Sequence, residues 1–232
     1  MTDLSTYLSG HRYPGRGILY PRVRSGDHVI AYFLTGRSPA SRERTLHIAG
    51  DDLVVAPSNA SDHDPLRHYT AAENAGDWLV VGNGEQVTQV ADRVRAGAPA
   101  QLALGDLEYE PDPPIHTSRI TALVSRDDGR EGVLGAARRS RAGGREAADV
   151  MTLTVRDLAP GDAVLLTTYD SDGDSVATAA PYVECAVAAE HPDGLLDEIW
   201  AALNPKLRIA AAVLDPAEGP VGTLVRAEKA AT

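Results

Sequence analysis

The chain has 232 residues, 43% of them hydrophobic, enough to fill a substantial core, and one large domain is expected over two small ones. Its formal net charge of -11 argues against a general nucleic-acid or acidic-membrane surface, because those partners attract Lys and Arg, and leaves room for a local basic pocket. Cys185 is the only cysteine, which excludes an intrachain disulfide and a cysteine-based zinc site, fits a reducing compartment and reads as a small buried hydrophobe.

The first sixteen residues are polar and lack the apolar core of a signal segment. No later stretch approaches the ~20 apolar residues that span a bilayer, so a cytoplasmic location is expected. Asp27 to Thr35 is nearly continuous in β-branched and aromatic residues, the pattern of a strand covered on both faces. Trp78 to Val81 is a second short apolar run, stopped by the turn signal Gly82-Asn83-Gly84. Val87, Val90, Ala91 and Val94 then fall at helical spacing within Glu85 to Arg95, which Gly97 and Pro99 end, and a short helix is expected at Ala100 to Leu104.

Beyond the break at Pro111, Pro113 and Pro114, strands are expected at Arg119 to Ser125, Glu131 to Ala137, Met151 to Val155 and Ala163 to Tyr169, paired as hairpins. Arg138 to Ala148 carries Arg and Gly with little to pack and reads as an exposed loop. Leu195, Leu196, Ile199, Trp200 and Leu203 give an amphipathic helix over Asp193 to Leu203, and Leu207 to Leu214 reads as a final strand. Strand runs with only two or three helices indicate a layered α+β domain, two stacked antiparallel-rich sheets flanked by helices, and no internal repeat.

Two polar clusters flank these strands, Tyr13-Pro14-Gly15-Arg16-Gly17 and Thr35-Gly36-Arg37-Ser38-Pro39-Ala40-Ser41-Arg42-Glu43-Arg44. A guanidinium binds phosphate through two parallel hydrogen bonds, and Gly and Ser beside it let backbone N–H groups and hydroxyls reach the same oxygens. An anion pocket built on Arg37, Arg42, Arg16 and Ser38 is one reading, a solvated basic loop the other. Glu108 and Glu110 stand two apart, so a strand would turn both carboxylates to one face, where each raises the proton affinity of the other; a solvent-facing strand edge is the plainer alternative. Asp170 to Asp174 lacks the acidic twelfth ligand of a calcium loop, having Pro181 there, and reads as a turn. His63 and His68, beside Asp62 and Asp64, lack a helical zinc spacing, and phosphate loops of the Walker or Rossmann kind are absent.

The order of the blocks resembles the bacterial branch of the archaeal-type IMP cyclohydrolases. Tyr13 to Gly17, Ala31 to Ser38 with Ser41 to Arg44, Asp64-Pro65 with Tyr69, Val81 to Gly84, Glu108 to Asp112, His116 to Ile120, Thr168 to Asp170 and Ile199 to Asn204 match in sequence, from about residue 13 to about residue 214. The resemblance implies a four-layer αββα sandwich similar to N-terminal-nucleophile hydrolases but without their nucleophile; Thr2 would become N-terminal only on loss of Met1. It implies dehydrative closure of 5-formamidoimidazole-4-carboxamide ribotide to IMP, with no cofactor and no metal.

By the same resemblance Glu110 is the active-site carboxylate, with Glu108 beside it. Tyr69 donates to the formyl oxygen, and Arg37, then Arg42 and Arg16, with Ser38, hold the phosphate. Asn83 bonds the carboxamide unless Gly-Asn-Gly is only a hairpin turn with positive backbone angles, and Arg119 contacts substrate, pairs with Glu110 or serves only as a structural salt bridge. The implied partner is a small-molecule purine ribonucleotide, with no nucleic acid and no membrane, and formation of a homo-oligomer stays open. Two other functions fit the same residues: a related cyclohydrolase on another ribotide in specialised metabolism, and a non-catalytic purine nucleotide-binding protein.

Overall fold

The apolar run ending at Thr35 folds as a strand, Ile30–Thr35, buried at all of its six positions. A computed structural model describes residues 1–58, 66–140, 145–172 and 175–228. From the N-terminus the elements are β1 (Thr2–Asp3), α1 (Leu4–Gly10), β2 (Arg16–Pro21), β3 (Ile30–Thr35) and α2 (Pro39–Arg42). Next come β4 (Arg44–Ala49), β5 (Asp52–Pro57), β6 (Tyr69–Ala75), β7 (Trp78–Gly82), α3 (Gln86–Arg95) and α4 (Ala100–Ala103). The second half adds β8 (Arg119–Ser125), β9 (Glu131–Arg138), β10 (Asp149–Arg156), β11 (Asp162–Thr167), β12 (Tyr169–Asp170) and β13 (Ala177–Thr178). The chain continues with β14 (Val183–Ala186), α5 (Pro192–Ala202), β15 (Arg208–Leu214), a 3-10 turn at Gly219–Gly222 and β16 (Leu224–Ala227).

The fold is mixed α+β. One seven-stranded sheet runs β1-β14-β11-β2-β3-β15-β16, antiparallel except where β1 meets β14. A second seven-stranded sheet is a meander in which β4 to β10 pair in chain order, with α3 and α4 inserted between β7 and β8, and β12 and β13 form a separate two-stranded sheet.

Alternation along the strands sorts the apolar side chains. Tyr20, Tyr32, Leu34, Leu166 and Ala212 of the first sheet meet Val55, Ala71, Leu79, Val81 and Ala122 of the second in one cluster. The opposite face of the first sheet, with Ala31, Phe33 and Val213, packs on Leu4 and Leu8 of α1 and Leu195, Ile199 and Trp200 of α5. Val80, Leu123 and Val133 on the outer face of the second sheet pack on Val87, Val90 and Ala91 of α3 and Leu104 after α4. Cys185 is fully buried in the second of these clusters.

Three expectations need correction. The last of the four expected strands does not form a hairpin with its predecessor: β11 leaves the meander and pairs with β2 and β14 in the other sheet. It also stops at Thr167, and Tyr169 begins a separate two-residue strand. Arg138 to Ala148 is not simply an exposed loop, since Arg138 ends β9 and donates to the carbonyl of Ala179, and Tyr109 donates from its hydroxyl to the carbonyl of Glu146. Residues 141–144, the Asp62, His63, Asp64 and Pro65 readings, and Gly173-Asp174 lie outside the described residues. No helix among the described residues is long and apolar enough to cross a membrane.

Candidate active site

Strand register brings one end of each sheet together. Arg16 opens β2 opposite Leu34 near the end of β3, while Gly82 closes β7 opposite Thr121 near the start of β8. Between the sheets the hydroxyls of Tyr32 and Tyr69 share a hydrogen bond of 2.8 Å. The entry into β2 is tight. Gly15 has φ +76°, and a Cβ there would collide with the Thr168 hydroxyl and the Tyr169 ring, so glycine is required for both reasons.

At this end Arg16 and Glu110 form an ion pair in which both residues are buried, 7% and 4% exposed. Asn83 is 0% exposed and both polar atoms of its side chain are bonded within the protein. Its Nδ2 donates to the Ser118 carbonyl (2.9 Å) and to Glu110 Oε1 (3.4 Å), and its Oδ1 accepts from the Ile120 N–H (2.8 Å) and Gln86 Nε2 (3.0 Å). The loop bearing Glu110 closes on itself. The Glu110 N–H donates to the Thr117 carbonyl at 2.8 Å, and the Asp112 carboxylate accepts from the Thr117 N–H (2.7 Å) and hydroxyl (2.6 Å). The Thr117 hydroxyl also shares a hydrogen bond with that of Tyr169.

Burial pushes the Glu110 carboxyl above its ordinary value; Arg16 pulls the other way, and the like charge of Asp112 adds to the rise. Burial also works against the Arg16 charge, but Glu110 and the hydroxyls of Tyr69, Tyr169 and Tyr32 outweigh it, so the guanidinium stays firmly protonated. The Tyr169 phenol is raised by burial to about 12, with Arg16 and the Thr117 hydrogen bond opposing. The cluster therefore combines a fixed cation with a carboxyl of increased proton affinity.

Beside the cluster lies a cavity of about 580 Å³, with Arg37, His116, Ser118, Arg139, Thr168 and Tyr169 in its wall. The Arg37 guanidinium sits 5.3 Å from the Tyr13 ring centroid, and Tyr13 stacks on Tyr169 with centroids 5.4 Å apart. Two cations thus face one polar cleft next to the buried pair. Among the described residues no group of three or more His, Cys, Asp or Glu stands together as a metal cage.

The structure brings Arg16, Tyr69, Asn83, Glu110 and Arg119 to this end and puts Arg37 in the cavity wall. Several expected roles change. Glu108 and Glu110 do not share a face: the segment is a loop, Glu108 is exposed, and Asp112 supplies the neighbouring negative charge. Asn83 is a brace and not a free ligand, and Gly82-Asn83-Gly84 is a strand-to-helix junction with no positive φ. Gly82 is needed for close packing, since a Cβ would stand 2.7 Å from Val87 and 3.0 Å from the Ile120 carbonyl.

Arg119 pairs with Glu85 at 2.7 Å, because Glu110 is already taken by Arg16. Ser38 caps α2, accepting from the Ser41 N–H at 3.2 Å, and Arg42 is exposed in the last turn of that helix, outside the cavity wall. Tyr32, Gln86, Thr117, Tyr169 and Arg139 had no role assigned from sequence. A tyrosine inside a doubly buried strand was the available signal for Tyr32, since its hydroxyl needs a buried partner.

A sequence model for the family described as "IMP cyclohydrolase-like protein" matches residues 13–218. The chain belongs to this family. The IMP cyclohydrolase of Methanothrix thermoacetophila is 31% identical over 156 residues, which span 64% of this chain and 71% of the relative. That of Haloquadratum walsbyi is 31% identical over 119 residues (48% and 56%), and that of Methanopyrus kandleri 28% over 118 (48% and 58%). In these last two the shared stretch spans little more than half of the relative. The IMP cyclohydrolase-like match contains the Arg16–Glu110 pair, the Asn83 brace and both cavity arginines.

Proposed function

We propose that the chain is an IMP cyclohydrolase that closes 5-formamidoimidazole-4-carboxamide ribotide to IMP with release of water. The observation that carries this reading is the buried Glu110–Arg16 pair beside a cavity with two arginines in its wall, in a chain of this family. Ring closure needs the carboxamide nitrogen to lose a proton as it attacks the formyl carbon, and the formyl oxygen to gain one and leave as water. A carboxyl whose proton affinity is increased by burial suits the first transfer, and Glu110 is the base in this reading. Tyr69 supplies the second proton from a hydroxyl already bonded to Tyr32.

Arg16 holds charge next to both groups. Arg37 and Arg139 take the phosphate, converting its binding energy into orientation of the reacting ends. Ser118 and Tyr169 line the cavity and bond to the groups that hold Glu110, so they stand between bound ribotide and carboxylate.

We further propose that the chain is one domain with the four-layer αββα sandwich resembling N-terminal-nucleophile hydrolases. The three hydrophobic clusters, one between the sheets and one outside each, support that layering. The between-sheet cluster draws on residues from Ile18 to Leu214, which supports a single unit. Thr2 pairs with Cys185 in a sheet-edge strand, and the reading assigns it no part in the reaction. Ultraviolet monitoring of purified protein with the formamido ribotide, without added metal or nucleotide, tests the activity. IMP formation is expected, and its absence removes the reading.

A further inference from the structure

His116 stands in the cavity wall with φ +53°, the left-handed region that few residues other than glycine occupy, asparagine, aspartate and histidine being the commonest of those that do. The loop holds it there: its N–H donates to the Asp112 carbonyl at 3.2 Å, and the next residue, Thr117, is clamped by the Asp112 carboxylate. Its ring meets Tyr109 edge-on, with centroids 5.1 Å apart and planes at 68°, so the side chain is oriented as well as the backbone. Yet the ring makes no hydrogen bond among the described residues, and Nδ1 is shielded from solvent with no partner. A neutral imidazole carries one donor and one acceptor, and no described residue is hydrogen-bonded to either. Glycine would hold this backbone without strain, so packing alone does not account for a histidine; strained residues of this kind cluster at ligand sites.

We propose that His116 is a substrate-contacting residue, whose imidazole hydrogen-bonds the base end of the ribotide in the cavity. The base end is favoured over the phosphate because Thr117, its chain neighbour, bonds through its carbonyl to the Glu110 N–H and through its hydroxyl to Tyr169. The inference rests on the ring-closure reading and is tested so that the two separate. His116→Gly removes the ring and relaxes the backbone, while His116→Asn tolerates the left-handed conformation and keeps a hydrogen-bonding amide.

The His116→Gly chain is expected to melt close to the wild type, because the relief of backbone strain and the freer unfolded chain nearly cancel. Its kcat/KM for the formamido ribotide is expected to fall at least about tenfold, with part of the loss recovered in His116→Asn. A kcat/KM within about twofold of wild type overturns the inference and leaves ring closure standing. So does a His116→Gly chain that melts well below wild type, since the ring is then a structural prop. If the wild type itself forms no IMP, the ring-closure reading falls, and affinity for IMP decides the contact. Weakening of about tenfold in His116→Gly upholds it, and unchanged affinity overturns it.

Discussion

Arg16 and Arg37 stand in loops of similar composition, Tyr-Pro-Gly-Arg-Gly and Thr-Gly-Arg-Ser, yet they meet opposite fates. Arg16 opens β2, the central strand of its sheet, and is carried under the second sheet, where only an anion makes its charge tolerable. Arg37 comes two residues after β3 ends, is exposed, and leans on the Tyr13 ring at the cavity wall. Position relative to a buried strand end, and not the residues around the arginine, divides a charge that organises the protein interior from one left exposed at a cavity wall.

The largest effect that would test this division is on stability. Arg16→Met leaves Glu110 buried without its partner, and loss of one member of such a pair costs about 3–5 kcal/mol in chemical denaturation. The double variant Arg16→Met with Glu110→Leu is expected to lose clearly less than the sum of the two single variants. Simple additivity would break the pairing. Asn83→Ala removes a brace with four hydrogen bonds and is expected to cost about 2–3 kcal/mol, with a parallel fall in turnover as the Glu110 loop loosens.

Arg37→Met is expected to leave stability nearly unchanged and weaken ribotide binding by about 1.5–3 kcal/mol in titration calorimetry, while the phosphate-free nucleoside is indifferent. Equal losses for both ligands would move Arg37 to the base pocket or the fold. Arg42→Met, in the same stretch but outside the cavity wall, is expected to change either quantity by no more than about 0.5 kcal/mol.

Elements with a strong local period were legible. The strand at Arg119 to Ser125 has the expected bounds, and the helix expected over Asp193 to Leu203 is Pro192–Ala202, because the apolar run and the helical period are both set by neighbouring residues. Strands β4 to β6 were not legible. Alanine, Glu73 and Asn74 in β6 have low strand propensity, and Glu73 is tolerable there only through Arg95 and Thr88 on α3. In the site, the block resemblance pointed to Glu110 and Tyr69, but pairing Glu108 with Glu110 assumed a strand where Asp112 and Thr117 tie a loop. Gly82-Asn83-Gly84 reads as a turn because three local residues carry no trace of Ile120, Ser118 and Gln86, which hold Asn83 from elsewhere in the chain. Arg139 sits in a stretch that looks solvated until β9 carries it to the cavity.

The central claim is that the buried carboxyl, and not its exposed neighbour, serves the reaction. Turnover and IMP affinity in folded Glu110→Gln and Glu108→Gln chains test it most directly. Glu110→Gln is expected to lose stability, since it leaves Arg16 without its anion, and in the folded chain to lose about 10²–10⁴ in rate with IMP affinity kept within several-fold, since the amide still fills the site and the arginines still hold the phosphate. Glu108→Gln is expected to match the wild type in both. Near-normal turnover in Glu110→Gln would contradict the claim, and its loss in Glu108→Gln alone would transfer the role to the exposed carboxylate.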